Sequence, residues 1–367
     1  MKSWNNLWDE FISDKNIKKA INDASKGKRK RKYVKHILSN LNESVSIFKD
    51  YALNFRNDPH VPITIYDGIE RKQRTIIVPS FRELVIQHML VNVLKPMFLQ
   101  GLYEYSYGSI PGRGAHDAKK VMEKWITKDS KNFKYILKLD IKKYFESISH
   151  VDIKIELAKV IKDKRILYLL CTIIDSSEKG LPLGFYTSQW LSMWYLKKLD
   201  HYIKEKCYSP HYMRYADDLV ITGSNKRKLK ETYEKIVLFL KFRRLELNKR
   251  SQLFKFVREI NNKKYGRDLD FMGFRFFRNR TILRRHIYYK MCRKVKRIYK
   301  KEKITIYDIR QMMSYLGYIK SSHVYSSYIK YIKPYFNFRK AKRKISNYDK
   351  RRNKLYVENC SIYSKAA

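Results

Sequence analysis

The sequence predicts an α+β fold in which helical segments at both ends flank a central region rich in short strands. Near the amino terminus, apolar residues recur at helical spacing, first over 4–12 and again over 34–48. Between about residues 60 and 280, runs rich in Val, Ile, Tyr and Phe alternate with helical patterns. From Arg284 onward the pattern is helical and dense in Lys and Arg. A chain of 367 residues can form a large core and two or three subdomains.

The charge composition indicates a polyanionic partner. Lys and Arg number 81 against 35 Asp and Glu, which gives a formal net charge of +46. Because like charges repel, such an excess destabilises a compact protein unless a polyanion compensates it. The basic residues are spread along the chain, so we expect nucleic acid to contact many parts of the surface. The 30 tyrosines suit stacking on bases, although most of them individually are expected in the core.

Several other classes of protein are disfavoured. The four cysteines are widely scattered and form no zinc-type spacing with each other or with histidine, which argues against a disulfide framework and a zinc site. The longest apolar run, near 166–174, is shorter than the roughly 18 residues that a bilayer-spanning helix needs. The amino terminus lacks the apolar segment of a secretory signal. We therefore expect a cytoplasmic protein that has no membrane contact.

A β-hairpin is predicted between residues 59 and 79. Its strands are Val61–Tyr66 and Arg71–Val78, joined by an Asp-Gly turn. Because side chains alternate along a strand, Lys72 and Arg74 lie on one face of the second strand.

A helix follows this hairpin. Ser80 is its expected cap, and the helix is expected to stop at Pro96. On this helix His88 is expected to pack rather than to bind a ligand. The glycine-rich loop 106–115 comes next, and both a phosphate-binding loop and a plain turn are open interpretations of it.

Three carboxylates carry the expected chemistry. The alternating pattern of Tyr135–Asp140 predicts a strand that ends at Asp140. Asp217 and Asp218 lie between two strand-like runs, so they are expected at the tip of a hairpin. An isolated Asp-Asp pair is ordinarily a solvated turn. One acid at a strand end combined with two at a hairpin tip, however, is a pattern from which a two-metal site is assembled.

Shorter patterns predict the rest of the central region. Helices are expected over 150–178, and their acids Asp152, Glu156 and Asp163 are expected to be solvated helix charges. A clear helical pattern spans Lys226–Phe242. Two further strands are expected, at Leu253–Val257 and Asp270–Phe277.

In combination, these motifs resemble a reverse transcriptase. The resemblance is carried, in this order on a very basic chain, by Asp140 with Phe145 five residues on, by Leu183-Gly-x-x-x-Ser-Gln189, and by Tyr215-Ala-Asp-Asp218. It extends over most of residues 60–280. It implies a right-hand polymerase with fingers, a palm built on an antiparallel sheet, and a helical thumb. The implied boundaries are a basic helical extension at 1–55, fingers at 56–132, palm at 133–283 with fingers-side helices at about 150–180, and a basic thumb and tail at 284–367.

The resemblance also implies roles for single residues. Asp140, Asp217 and Asp218, together with the backbone carbonyl of Ile141, would hold two Mg²⁺ ions, for which Mn²⁺ can substitute. The incoming nucleotide would be contacted by Lys72, Arg74, Phe145, Leu183, Gly184 and Gln189. Among these, Lys72 and Arg74 would hold the triphosphate, and Phe145 would exclude a ribose 2′-hydroxyl.

Two further sites are implied. The primer grip would be Phe271, Met272 and Gly273. The family usually has a lysine, proposed to protonate pyrophosphate, where this chain has Arg250. Arginine is a poor proton donor because its pKa is above about 12. Lys249 is therefore the alternative candidate.

The segment Leu183–Gln189 resembles one particular group within the reverse transcriptases. Most reverse transcriptases have Gln-Gly-x-x-x-Ser-Pro at this place, whereas Leu183-Gly-Phe-Tyr-Thr-Ser-Gln189 resembles the enzymes of diversity-generating retroelements. The segments 107–114 and 314–320 resemble the same group. Such enzymes are prokaryotic or phage-encoded, copy a template-repeat RNA with errors at template adenines, and work with a small basic accessory variability protein.

Three interpretations of function are open at this point. The first is the mutagenic retroelement polymerase, and the second is a retron-type or antiviral defence-associated reverse transcriptase. Both would bind template RNA, RNA–DNA duplex and dNTPs. The third is a non-catalytic RNA-binding scaffold with a polymerase fold, which the complete set of Asp140, Asp217 and Asp218 disfavours.

Overall fold

The computed structural model describes residues 3–67, 72–260 and 263–364, which form an α+β protein. These residues fall into two compact units, one extending to Phe256 and the other beginning at Val257. In the part of the chain that the structure describes, no helix is both long enough and apolar enough to cross a bilayer.

The first unit begins with short helices, namely α1 Trp8–Phe11, α2 Asp14–Ala24, α3 Lys32–Ser39 and α4 Leu41–Leu53. The hydroxyl of Ser13 caps α2 by accepting from the N–H of Asn16 at 3.3 Å. Ile17 and Ile21, one turn apart on α2, are fully buried. The predicted hairpin is present as antiparallel strands β1 Pro62–Asp67 and β2 Lys72–Ile77.

Helix α5, Phe81–Leu99, begins with a capping box and ends later than predicted. The Ser80 hydroxyl accepts from the Glu83 N–H at 3.2 Å, and the Glu83 carboxylate accepts from the Ser80 N–H at 2.9 Å. The expected stop at Pro96 is wrong, because the helix continues through it and the Pro96 carbonyl accepts from the N–H of Gln100. A proline inside a helix removes one hydrogen bond. Burial of α5 around its circumference, against α2 and α10, offsets that loss.

The central sheet of this unit has five strands in the order β3-β5-β6-β4-β7. Their bounds are β3 Ser106–Tyr107, β4 Tyr135–Asp140, β5 His211–Tyr215, β6 Asp218–Gly223 and β7 Gln252–Lys255. The β3–β5 pair is parallel and the other pairs are antiparallel. Helices complete the unit, namely α6 Ala115–Lys128, α7 Tyr144–Ser147, α8 His150–Val160, α9 Lys164–Ile174, α10 Tyr186–Tyr195, α11 Lys197–His201 with a π-helical turn Tyr202–Lys206, and α12 Lys226–Phe242.

Two acids that were expected to be solvated have structural partners instead. Asp163 caps α9, and its other carboxylate oxygen accepts from the N–H groups of Leu7 and Trp8 at 3.0 and 2.9 Å. Glu156 accepts from Lys198 and Arg243, each at 2.9 Å. Burial alone would raise the pKa of Glu156, but these two hydrogen bonds hold it below its usual value. The sequence pattern could not show these partners because they are distant along the chain.

The second unit joins small sheets to basic helices. Its strands are β8 Arg258–Ile260, β9 Lys263–Tyr265, β10 Leu269–Phe271, β11 Phe274–Phe276 and β12 Thr281–Leu283. Its helices are α13 Arg285–Tyr299, α14 Ile306–Lys320, α15 Tyr325–Tyr331 and α16 Phe338–Ser364. The single strand expected over Asp270–Phe277 is wrong, because β10 and β11 form a hairpin there. Its two turn residues, Met272 and Gly273, have φ of 53° and 83°, as a two-residue hairpin turn requires.

The predicted division into extension, fingers, palm and thumb stays a prediction. The strands β10 to β12, which it assigned to the palm, lie in the second unit together with the basic helices.

Candidate active site

Asp140 and Asp218 face each other on neighbouring strands. Asp140 is the last residue of β4 and Asp218 the first of β6, and they are direct partners in the antiparallel register. Directly opposed residues project from the same face of a sheet with their Cβ atoms about 4.5–5.5 Å apart. Leu139 and Leu219 beside them are fully buried, whereas both acids are half-buried. The two carboxylates therefore lie together where the apolar core meets solvent.

Asp217 joins them from the turn between β5 and β6. Its carbonyl accepts from the N–H of Ile141 at 3.3 Å, so the turn is bonded to the residue that follows Asp140. The side chain of Ile141 is buried. The backbone thus brings Asp140, Ile141, Asp217 and Asp218 to one place.

The donor chemistry of this site fits a hard divalent cation, because Mg²⁺ is bound through carboxylate oxygens and prefers them to nitrogen or sulfur ligands. Among residues 3–67, 72–260 and 263–364, no three His, Cys, Asp or Glu side chains are already grouped tightly enough to hold a metal ion. What the structure shows is the backbone arrangement, in which Asp140 pairs with Asp218 and the turn at Asp217 is bonded to Ile141.

The glycine-rich loop 106–115 contacts the turn that contains Ala216 and Asp217. Ala216 has a φ of 53°, in the left-handed region, and its N–H donates to the carbonyl of Tyr107 at 2.9 Å. A Cβ on Gly108, which has a φ of 90°, would come within 3.3 Å of the Ala216 nitrogen. The start of the loop therefore supports the acidic turn, which is a third role beside the two that were left open for it.

A buried ion pair lies beneath the same turn. Arg214 on β5 and Asp200 on α11 are fully buried and meet through two hydrogen bonds of 2.7 and 2.6 Å. Burial alone would lower the pKa of Arg214, but the charge of Asp200 raises it above its usual value. The sequence pattern did not reveal this pair. A charged residue inside an apolar strand was the available signal, because a buried charge needs a partner.

The predicted nucleotide-binding residues divide into two groups. Arg74 lies on β2, while the side chain of Lys72 is outside the described residues. At the end of β2, the N–H of Ile77 donates to the carbonyl of Leu183 at 2.7 Å. Gly184 has a φ of 114°, and a Cβ there would overlap the carbonyl oxygen of Ile77. The strand that carries Arg74 is therefore joined through backbone atoms to Leu183 and Gly184.

Phe145 belongs to the second group. Its carbonyl accepts from the N–H of Leu181 at 2.8 Å, and the backbone of Gly180 packs so closely on Phe145 that a Cβ would overlap this oxygen. Its ring is half-buried and contacts Tyr144 edge to face. Gln189 lies on α10 and is exposed.

Helix α5 positions the start of α10. The side-chain carbonyl of Gln87 accepts from the N–H of Tyr186 at 2.7 Å. The ring of His88 stacks on the ring of Tyr186 with centroids 4.2 Å apart. Burial lowers the pKa of His88 to about 4, which fits the expected packing histidine.

Two predicted sites lie in turns. Lys249 and Arg250 are exposed in the turn after Asn248, whose N–H donates to the carbonyl of Asp140 at 2.7 Å. Both therefore lie close in sequence to a residue bonded to the acidic site.

Phe271, Met272 and Gly273 form the tip of the β10–β11 hairpin in the second unit, where the Gly273 carbonyl accepts from the N–H of Arg284 at 3.0 Å.

Comparison with known proteins identifies the class. The family model described as reverse transcriptase (RNA-dependent DNA polymerase) matches residues 67–276, which is more than half of the chain. This protein therefore belongs to the reverse transcriptase family. The match and the mixed α/β architecture confirm the predicted fold class, the right-hand polymerase.

Individual relatives are more distant. The chain is 26% identical to the retron Ec73 reverse transcriptase of Escherichia coli over 205 residues, which are 52% of this chain and 62% of the relative. It is 24% identical to protein YkfC of E. coli K12 over 146 residues, 37% of this chain and 38% of that protein. It is 28% identical to a 91 kDa protein in the cob intron of Schizosaccharomyces pombe over 174 residues, 45% of this chain and 21% of that protein. The chain thus spans less than two thirds of each relative.

Proposed function

We propose that this protein is an RNA-directed DNA polymerase that copies a template RNA into cDNA from dNTPs. The observation that carries the proposal is the direct opposition of Asp140 and Asp218 on β4 and β6, with Asp217 in the adjoining turn. Membership in the reverse transcriptase family supports it. The net charge of +46 supports a nucleic-acid substrate.

In this proposal two Mg²⁺ ions would be held by Asp140, Asp217, Asp218 and the carbonyl of Ile141. The chemistry that bound Mg²⁺ supplies is activation of the primer 3′-hydroxyl and neutralisation of charge on the triphosphate. The half-buried position of the carboxylates limits their contact with water, which strengthens their attraction for cations.

Other residues bind and orient the substrates. Lys72 and Arg74 neutralise the triphosphate, and Phe145 excludes nucleotides that carry a 2′-hydroxyl. Phe271, Met272 and Gly273 hold the primer. A proton for the departing pyrophosphate comes from Lys249 or Arg250, of which Lys249 is the better donor because its ordinary pKa is lower.

The polymerase proposal is tested by replacing both turn acids. The variant Asp217→Asn/Asp218→Asn keeps side-chain size and removes the negative charges. We expect primer extension on an RNA template to fall below detection, while RNA affinity measured by filter binding stays unchanged. The matched control is Asp152→Asn, which changes a partly exposed acid on α8. Synthesis by the double variant at the wild-type rate would refute the assignment of the site.

The first candidate for the biological role is mutagenic copying of a template-repeat RNA, with a small basic accessory variability protein as partner in a prokaryotic or phage-infected cytoplasm. It rests on Leu183–Gln189. The carbonyl of Leu183 and the backbone of Gly184 contact Ile77, and a Gln at 183 would keep those contacts. The unusual residue would therefore act through its half-buried side chain.

This candidate is tested by sequencing cDNA made by the wild type and by Leu183→Gln on one defined RNA. We expect errors concentrated opposite template adenines in the wild type and fewer of them in Leu183→Gln. Leu238→Gln is the matched control, because it makes the same chemical change at an exposed leucine of α12. Uniform fidelity in the wild type would overturn the mutagenic role.

The second candidate is a retron-type or defence-associated reverse transcriptase. The similarity to the retron Ec73 reverse transcriptase favours it. The RNA that copurifies with the protein distinguishes the two candidates. In cDNA made on that RNA, errors concentrated opposite template adenines would support the first candidate, and uniform fidelity would support the second.

A further inference from the structure

The ion pair between Arg214 and Asp200 differs from an ordinary buried pair in the completeness of its hydrogen bonds. All three nitrogens of the Arg214 guanidinium donate hydrogen bonds. Asp200 accepts two of these bonds and two more, from the hydroxyl of Tyr212 at 2.6 Å and from that of Ser106 at 2.9 Å. The Ser106 hydroxyl also accepts from Arg214 at 3.2 Å. The network thus ties together α11, β3 and β5.

One bond leads from this network to the acidic turn. Arg214 Nη1 donates to the carbonyl of Ala216 at 3.1 Å. The N–H of Ala216 donates to the carbonyl of Tyr107 on β3. The carbonyl of Asp217 accepts from the N–H of Ile141. Successive backbone groups of the turn are therefore held by three different segments. Ala216 keeps a left-handed conformation that a non-glycine residue seldom adopts, and such conformations persist where the surroundings fix them.

We propose that Arg214 and Asp200 are positioning residues that set the backbone of the turn so that Asp217 and Asp218 face Asp140. This inference rests on the proposed polymerase function, because it assigns the turn as part of the metal-binding site. Neither residue contacts the reacting atoms. Arg214 acts through the Ala216 carbonyl, and Asp200 acts by fixing the plane of the guanidinium.

The test compares Arg214→Lys with Arg243→Lys. Lysine keeps the charge but loses the planar fork that reaches Asp200 and Ala216 together. Arg243 is the matched control because it is a largely buried arginine of the same unit that bonds a carboxylate, Glu156, and a backbone carbonyl, that of Tyr195. Both variants are compared at temperatures at which they are folded to the same extent. Asp200→Asn is the second positioning variant and supplies the test if Arg214→Lys does not fold.

Three measurements separate positioning from simple support of the fold. For Arg214→Lys we expect kcat to fall about 100-fold while the KM for dNTP changes little, because a displacement of about 1 Å costs on that order. We expect the affinity for Mn²⁺, measured by electron paramagnetic resonance with a dideoxy-terminated primer–template and dNTP, to fall by about tenfold. Hydrogen exchange at the amides of Ala216 and Ile141 should be faster than in Arg243→Lys.

The outcomes are distinct. Equal Mn²⁺ affinity and equal exchange in Arg214→Lys and Arg243→Lys would overturn the positioning role, and the same holds for Asp200→Asn against that control. A wild-type protein that makes no DNA would refute the proposed function instead. In that case exchange at Ala216 and Ile141 still decides whether Arg214 fixes the turn.

Discussion

Substitution of Gly184 by alanine tests whether the backbone contact between β2 and the segment Leu183–Gln189 is essential. Gly184 has a φ of 114°, which alanine adopts only with strain, of about 1–2 kcal/mol. The new Cβ would also overlap the Ile77 carbonyl oxygen, which belongs to the backbone and cannot rotate away. Relief of this overlap moves the end of β2 and breaks the bond from Ile77 to Leu183, at a further cost of about 1 kcal/mol. The expected loss in the free energy of unfolding is thus about 2–3 kcal/mol.

The control is Gly112→Ala. Gly112 has a φ of 76°, and a Cβ there would meet nothing within 4 Å, so only the conformational strain applies. Urea unfolding followed by circular dichroism gives both free energies, and steady-state primer extension gives the KM for dNTP. We expect Gly184→Ala to lose more stability than Gly112→Ala and to raise this KM, because Arg74 lies on the displaced strand. Equal stability losses and an unchanged KM in the two variants would refute the reasoning.

Three further predictions concern other parts of the molecule. Phe145→Ala should increase incorporation of ribonucleotides relative to deoxyribonucleotides in primer extension, and an unchanged ratio would contradict the gate assigned to that ring. Glu156 has a pKa below its usual value of 4.5, so the stability that it contributes is present above pH 4.5 and is lost as the pH falls through the lowered value. Glu156→Gln should therefore lower the stability of the protein at pH 7 and make its loss of stability with falling pH less steep. Thermal melts from pH 7 to 3 measure both effects. Affinity for an RNA–DNA duplex should fall by about 10³-fold or more between 50 and 200 mM salt if six or more phosphates are contacted, and a flat salt dependence would argue against duplex tracking.

Local patterns predicted those elements whose cause is local. Helix α12 spans Lys226–Phe242, as its periodicity indicated, and β4 ends at Asp140. The course of α5 through Pro96 depends instead on packing around the whole helix. The β10–β11 hairpin turns on Met272 in a left-handed conformation, for which methionine gives no signal. Such features follow from tertiary contacts, which a single sequence does not display.

In the candidate site, too, some features could be predicted from local patterns and others depend on tertiary contacts. The pattern marked Asp140, Asp217 and Asp218 as a set, and the strand order β3-β5-β6-β4-β7 explains why they meet, since β4 lies beside β6 and not beside β5. That order could not be predicted from alternation of side chains. The pairing of Asp200 could not be predicted for a related reason. It depends on the tertiary packing that buries Arg214 of β5 against Asp200 of α11. The individual roles of the nucleotide-binding and primer-grip residues stay predictions.

In the acidic turn, the backbone and the acidic side chains are held in different ways. Its backbone is fixed by hydrogen bonds to Tyr107, Arg214 and Ile141, while the side chains of Asp217 and Asp218 stay half-buried at the edge of the core. A cation bound to these carboxylates could adjust the side chains without moving the backbone. An apolar pair could fill the space beneath the turn but could not donate to the Ala216 carbonyl, as the buried charged pair does.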